Sequence, residues 1–221
     1  LSKYVLSNKK NKIQLIQNKA LELSMFLSLP ATLALMIGSE EIVSALFGYG
    51  SFTEASVANS ARALYFFAIG LPAFALIKVF SSFFFANHDT KTPFYISIVS
   101  VVLNVTISLL YFKDIGFIII PIATSISSWF NSISLFLFLK KRKLFSFNKT
   151  FVIQFFKIVF CSILMGFVFY YSIFILENRL VYNYDLKLIY LVLAVLLALL
   201  FYLIISFFIK AFNSKDLKLK Y

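Results

Sequence analysis

Six long apolar stretches dominate this 221-residue sequence and decide which folds are open to it. They cover residues 21–37, 63–86, 94–112, 115–139, 151–176 and 186–209. A helix of about 20 apolar residues crosses the hydrocarbon core of a membrane, whereas a barrel strand has about ten residues of alternating polarity. The stretches are long and continuous, so the sequence predicts an all-α integral membrane protein with six transmembrane helices.

Composition and charge support this interpretation. Hydrophobic residues make up 61% of the chain and charged residues 14%, against about 45–50% and 25% in soluble domains. If residues 1–20 are cytoplasmic, alternation of the stretches puts 15 of the 21 Lys and Arg residues on that side and four on the other. This asymmetry predicts that both ends are cytoplasmic. It also explains the net charge of +12 through topology and contacts with membrane lipids, so no nucleic-acid partner is expected.

The same alternation predicts the organisation of the chain. Residues 1–20 form a cytoplasmic basic segment, 21–139 four transmembrane helices, 140–150 a basic cytoplasmic loop, 151–209 two accessory transmembrane helices and 210–221 a cytoplasmic tail. A short helix over residues 40–47, capped by Ser39, is predicted in the membrane interface, with a frayed end of the first span as the alternative. Residue 1 is Leu, so we expect a fragment of a longer polypeptide.

Lys78 is the charge of greatest interest, because it lies inside the second apolar stretch. A Lys near the bilayer centre costs about 2.5–3.5 kcal/mol. Ser81 and Ser82 share its helix face, which makes a short polar stripe. We hypothesise that Lys78 faces a polar cavity and meets an anionic group. The alternative is a lysine that snorkels to the interface without a special role.

Prolines and small polar residues mark further positions inside the apolar stretches. Thr124, Ser128 and Asn131 form one polar stripe in the fourth stretch, suited either to helix contacts or to a cavity wall. Interrupted helices at mid-membrane are frequent where transporters bind substrate, and packing kinks in membrane proteins without transport activity are the alternative explanation. The predicted helix breaks are Pro30, Gly70, Pro72 and Pro121.

No pattern for bond-making chemistry is found. The sequence lacks a phosphate-binding G-x-x-x-x-G-K-[ST] loop, has one His and one Cys, and clusters no Asp or Glu in its spans. It therefore predicts no catalytic residues, no metal and no cofactor, and a transporter rather than an enzyme.

Several motifs, in order and spacing, are similar to those of the MurJ (MviN) lipid II flippases, within the larger group of multidrug and polysaccharide exporters. They are residues 46–53 (LFGYGSFT), 70–74 (GLPAF), 78–80 (KVF), 85–93 (FANHDTKTP) and 123–131 (ATSISSWFN). The turn after the intramembrane Lys is the most specific of them. It consists of Asp89, Thr90, Lys91, Thr92 and Pro93.

The resemblance implies a fold of 14 helices, of which this chain would be the ninth to the fourteenth. It implies movement of a lipid-linked peptidoglycan precursor across the bacterial inner membrane by alternating access, with Lys78 facing the central cavity. The missing N-terminal lobe of the same polypeptide would be the partner, since the family's arginine-rich headgroup site lies mostly there. The alternatives are an exporter of another polyprenyl-linked saccharide, and a membrane scaffold that transports nothing.

Overall fold

The computed structural model describes residues 10–211, and these residues form helices, turns and short connections. Residues 1–9 and 212–221, which contain part of the predicted basic segment and nearly all of the predicted tail, lie outside the described part. The helices are α1 Lys10–Ile37, α2 Ser39–Phe47, α3 Glu54–Ala86, α4 Lys91–Ile115, α5 Ile119–Lys141, α6 Lys149–Ile175, α7 Glu177–Leu180 and α8 Lys187–Phe208. A 3₁₀ turn, Gly116–Ile118, joins α4 to α5.

Five helical stretches among the described residues are long and apolar enough to cross a membrane, which confirms the all-α membrane class. The third of them, Lys91–Lys141, is 51 residues long and contains both α4 and α5. Asn104 in α4 donates hydrogen bonds to Thr124 and Ser127 of α5, and Asn131 donates to Ser97. The middle of α4 thus faces the first half of α5, and the middle of α5 faces the first half of α4, so the two helices form an antiparallel hairpin.

The four predicted break positions lie inside helices or near the start of one. Helix α1 is continuous through Pro30, and α3 is continuous through Gly70 and Pro72. Pro121 is the third residue of α5, where its missing N–H would have had no partner inside the helix. It therefore helps to begin a helix rather than interrupting one.

Two side chains of α5 donate to backbone carbonyls of α3 in the two turns before Pro72. The Ser125 hydroxyl donates to the carbonyl of Phe66, and the Trp129 indole donates to the carbonyl of Ile69 at 3.0 Å. These bonds join α3 to α5 next to the proline. Gly70 permits the close approach, because a Cβ at this position would lie 2.8 Å from Ser125 Oγ and 3.2 Å from Ser125 Cα.

The described residues divide into two compact units. The first consists of residues 10–28 and 66–152, and the second of residues 29–65 and 153–211. In the first unit a cluster of phenyl rings at contact distance joins α3, α5 and the segment after it: Phe80, Phe83, Phe136, Phe145, Phe147 and Phe151. In the second unit Val43, Val57 and Ala61 form a small core against which Phe52 and Tyr182 pack.

The predicted short helix is present as α2, with Glu40 and Glu41 in its first turn. The prediction that Ser39 caps it is wrong. Ser39 is the first helical residue, Gly38 holds the cap position, and no side chain caps the helix. Leu46 and Phe47 remain 53% and 61% exposed, as expected for a helix that presents an apolar side to lipid.

Lys187, counted in the sequence as one of the outer charges, is 1% exposed and lies at the start of α8 in the second unit. Its ammonium donates to the carbonyl of Gly48 at 2.7 Å and to that of Tyr182 at 2.6 Å. The same nitrogen lies 4.3 Å from the ring centroid of Tyr49 and 4.8 Å from that of Tyr182. Lys187 thus joins the connection between α2 and α3 to the connection between α7 and α8. The Tyr182 hydroxyl, which donates to the Phe52 carbonyl, joins the same two connections.

Candidate functional site

A polar groove of about 310 Å³ in the first unit is the candidate site. Its wall on α5 contains Thr124, Ser128 and Asn131, the three residues of the predicted polar stripe, together with Ser127. The remaining lining residues come from α3 and α4, and they are Phe74, Ile77, Ser97, Ser100, Val101 and Asn104. The stripe is thus both a helix contact and a groove wall, which were the two uses the sequence left open.

Most groups in the groove already have hydrogen-bond partners. Asn104 Nδ2 donates to Thr124 Oγ1 at 3.0 Å and to Ser127 Oγ at 3.3 Å. The hydroxyls of Thr124 and Ser128 donate to backbone carbonyls one turn earlier, at 2.8 and 2.7 Å. The bonds from Asn104 join α4 to α5, and bonds of this kind between neutral groups hold helices together in a membrane. Thr124, which also accepts from Asn104, therefore helps to stabilise the α4–α5 hairpin.

Asn131 is the exception. Its residue is 7% exposed, and its Oδ1 atom is buried without a hydrogen-bond partner among the described residues. Its amide nitrogen is 3.5 Å from Ser97 Oγ, which is a long bond. An unsatisfied buried acceptor costs about 1–3 kcal/mol. The groove therefore contains an acceptor suited to a donor from outside this part of the chain.

The structure does not bring Lys78 into this groove. Lys78 and Ser82 are exposed and Ser81 is half-buried, and none of the three is among the lining residues. The Ser82 hydroxyl donates to the carbonyl of Val79 at 2.7 Å, within its own helix. The predicted site thus separates into a groove on α5 and an open face of α3, although Ile77, next to Lys78, does line the groove.

The family-motif turn forms a hydrogen-bonded cluster at the start of α4. Asp89 Oδ1 accepts from the Thr92 backbone N–H at 3.0 Å, and Asp89 Oδ2 accepts from the Thr92 hydroxyl at 2.7 Å. Pro93 is the third residue of α4, where it removes no helical bond. Thr90 precedes α4 directly, and Lys91 is its first residue.

Arg142 completes this cluster, and its role was not predictable from its position in the basic loop. Its guanidinium donates to Asp89 and, at 2.9 Å, to the Thr92 hydroxyl, and it lies 5.8 Å from the ring centroid of Phe84. Burial opposes ionisation of Asp89, but the hydrogen bonds from Thr92 and Arg142 outweigh it and hold the pKa of this carboxyl below its usual value. The cluster therefore holds an ionised carboxylate that ties two connections of the first unit together.

The family model described as "Lipid II flippase MurJ" matches residues 1–191 of this chain. The chain belongs to the MurJ family of lipid II flippases.

Individual MurJ relatives agree with this membership. The chain is 40% identical over 131 residues to the "Probable lipid II flippase MurJ" of Rickettsia prowazekii, which covers 59% of the chain and 26% of that protein. It is 38% identical over 143 residues to the protein of the same name from Thermotoga maritima, covering 65% of the chain and 28% of that protein. The chain thus spans about a quarter of the length of these relatives.

A solved MurJ structure shares the fold. It is titled "Lipid II flippase MurJ, inward closed conformation", and it matches 95% of this chain with a TM-score of 0.74 and 26% identity. The match covers 42% of that chain.

Proposed function

We propose that this chain is the C-terminal part of a lipid II flippase, which moves the lipid-linked peptidoglycan precursor from the inner to the outer leaflet of the bacterial inner membrane by alternating access. The observation that carries the proposal is the MurJ match over residues 1–191. The likeness to a solved MurJ structure over 95% of the chain supports it. The activity would belong to the whole polypeptide, since the chain spans only a quarter of its relatives.

We further propose six membrane crossings, corresponding to the ninth to fourteenth helices of a 14-helix transporter, with both ends cytoplasmic. The antiparallel α4–α5 hairpin supports two crossings within the 51-residue stretch. Within the first unit, Asn18 bonds to Ser146 and Asn148, which joins two segments predicted to be cytoplasmic. Within the second unit, Lys187 bonds to the Gly48 carbonyl, which joins two segments predicted to be outside.

The substrate would meet Lys78 and the polar stripe. Lys78 is exposed on the chain described here, so another part of the polypeptide can supply the opposite wall of a cavity. An ammonium at this position suits the pyrophosphate of the precursor, since Lys binds phosphate as a point charge. Ser81 and Ser82 would contribute neutral hydrogen-bonding groups beside Lys78 on α3. Thr124, Ser128 and Asn131 would contribute such groups in the separate groove on α5. No step of this transport forms or breaks a covalent bond.

Complementation tests this proposal. Cells depleted of the flippase would receive the full-length protein, either unchanged or with Lys78→Ala, and the precursor remaining in the cytoplasmic leaflet would be measured. We expect the unchanged protein to clear the precursor and Lys78→Ala to lose at least tenfold in rate at equal membrane abundance. Lys113→Ala is the matched control, because Lys113 is an exposed lysine near the end of α4.

Two results would contradict the proposal in different ways. Full activity of Lys78→Ala would remove the role of that residue and leave the family assignment in place. Failure of the unchanged, correctly inserted protein to move the precursor would favour export of another polyprenyl-linked saccharide or a scaffold role. Neither alternative is favoured by an observation on this chain.

A further inference from the structure

A second pocket, of about 510 Å³, lies wholly within the second unit, away from the residues proposed to meet the precursor. It is formed by α2, the start of α3, the end of α6, α7 and the connection after it. Four of its twelve lining residues are glutamates: Glu40, Glu41, Glu54 and Glu177. The remainder are mostly apolar or aromatic, and they include Val57, Tyr170, Ile173, Phe174, Leu180 and Tyr182.

The four carboxylates have no counter-ion within the described residues. None of them pairs with a Lys or Arg side chain there. The nearby cations are engaged elsewhere, since Arg179 donates to the Tyr184 hydroxyl at 2.6 Å and Lys187 donates to two carbonyls. Burial raises the pKa of the Glu41 carboxyl above its usual value, and the charge of Glu40 raises it further. The pocket therefore brings four carboxylates together without a counter-ion among the described residues.

Ser44 gives an independent indication of a ligand. It lies four residues after Glu40 and three after Glu41, so it shares their face of α2, and all three line the pocket. The Ser44 residue is 5% exposed, and its hydroxyl has no hydrogen-bond partner among the described residues. A buried hydroxyl usually has a partner, so a group bound in the pocket would satisfy it.

The spacing of the carboxylates decides which cation fits. No group of three or more His, Cys, Asp or Glu side chains in residues 12–211 is close enough to hold a metal ion. The glutamates instead stand around a space of a size typical for small organic ligands. Apolar side chains suit methylene groups, and the tyrosine rings suit ammonium groups. We propose that this pocket binds an aliphatic di- or polyamine, with its ammonium groups on the glutamates and its methylene groups along the apolar wall.

Calorimetry with spermidine as the probe tests the proposal on the full-length protein. The protein would be held in nanodiscs of phosphatidylcholine, a lipid without net charge, so that the amine does not bind the bilayer. We expect one saturable site. Glu40→Gln combined with Glu177→Gln should weaken binding at least tenfold, and both residues are exposed, so packing is preserved. Asp185→Asn is the matched control, because this exposed carboxylate does not line the pocket, and it should change the affinity less than twofold.

Two further measurements distinguish a specific amine site from non-specific electrostatic attraction of cations. Ser44→Ala should weaken binding two- to fivefold without changing the stoichiometry, and Mg²⁺ at matched ionic strength should not displace spermidine. Three results would each overturn the proposal. They are an absence of saturable binding, an unchanged affinity in the double glutamine variant, and displacement of spermidine by Mg²⁺ at matched ionic strength. Movement of the lipid precursor is measured separately, so failure of the proposed flippase activity would leave this result standing.

Discussion

Removing the buried ammonium of Lys187 should loosen both connections of the second unit. Lys187→Met keeps an unbranched side chain of similar length but removes every donor. The change leaves the Gly48 and Tyr182 carbonyls without the ammonium that now lies 2.7 and 2.6 Å from them. It also ends the attraction between that charge and the rings of Tyr49 and Tyr182.

The expected loss follows from these contacts. Two hydrogen bonds from a charged donor contribute about 3–6 kcal/mol, and the two ring contacts add roughly 1–2 kcal/mol. Burying an ammonium costs several kcal/mol, and the Met variant no longer bears that cost. The difference leaves a net loss of about 2–4 kcal/mol in the local opening free energy. Since 1.4 kcal/mol corresponds to a tenfold change, amide exchange should accelerate by about 30- to 1,000-fold.

Hydrogen exchange with mass spectrometry on the full-length protein would measure this effect. Peptides covering residues 48–53 and 181–187 should exchange faster in Lys187→Met, whereas those from α4 and α5 should not change. Lys113→Met is the control, because it makes the same replacement at an exposed position and should alter exchange less than twofold. If both variants behave alike at residues 48–53, Lys187 does not hold these connections and the reasoning fails.

Three further predictions concern the first unit. Asp89→Asn and Arg142→Ala should each destabilise the protein by about 1 kcal/mol and should be non-additive in a double-mutant cycle, since each removes the same partly exposed contact. Because the hydrogen bonds from Thr92 and Arg142 hold the pKa of Asp89 below its usual 3.8, the contribution of Asp89 is complete above that pH and is lost as the pH falls further. Thermal unfolding below about pH 4 should show this loss, and the loss should be smaller in Arg142→Ala. Gly70→Ala should cost about 1–3 kcal/mol in a chemical unfolding assay, because the added Cβ would crowd both Oγ and the backbone Cα of Ser125. Gly166→Ala should cost less, because the nearest atom there is the terminal methyl of Ile37, which can move. Asn104→Leu should cost about 1 kcal/mol by the same assay, because it removes two hydrogen bonds between α4 and α5.

Clear outcomes would contradict these predictions. Additive effects of the Asp89 and Arg142 variants would show that the two side chains do not act together in solution. Equal costs at Gly70 and Gly166 would mean that backbone proximity is not what constrains Gly70. An Asn104→Leu variant as stable as the unchanged protein would show that the bonds to Thr124 and Ser127 contribute nothing to the hairpin.

The positions of the apolar helices were predictable because apolarity is a local property of the sequence. The stretches 151–176 and 186–209 agree with α6, Lys149–Ile175, and α8, Lys187–Phe208, to within two residues at each end. The stretches 21–37 and 63–86 begin later than α1 and α3, which start at Lys10 and Glu54. Hydrophobicity marks where a helix can meet hydrocarbon, and a helix with polar residues can continue beyond that region.

Partners distant in the sequence could not be predicted. Arg142 pairs with a residue 53 positions away, and Lys187 bonds to a carbonyl 139 positions away. Both looked like ordinary topology charges, because a charge count gives the side of the membrane and not the contact. The stripe of Thr124, Ser128 and Asn131 was predictable from helical spacing, and Ser97, Ser100 and Asn104 on the facing helix show the same kind of spacing, so the second wall of the groove was predictable as well.

The contact between Gly70 and Ser125 has a consequence for movement. Where an added Cβ would lie 3.2 Å from the facing backbone, two helices are packed so closely that sliding or rotation requires them to separate. Residues 66–86 of α3 would therefore move together with α5 in the transport cycle proposed above. In the alternating access proposed above, the rearrangement would then take place at other contacts of the protein.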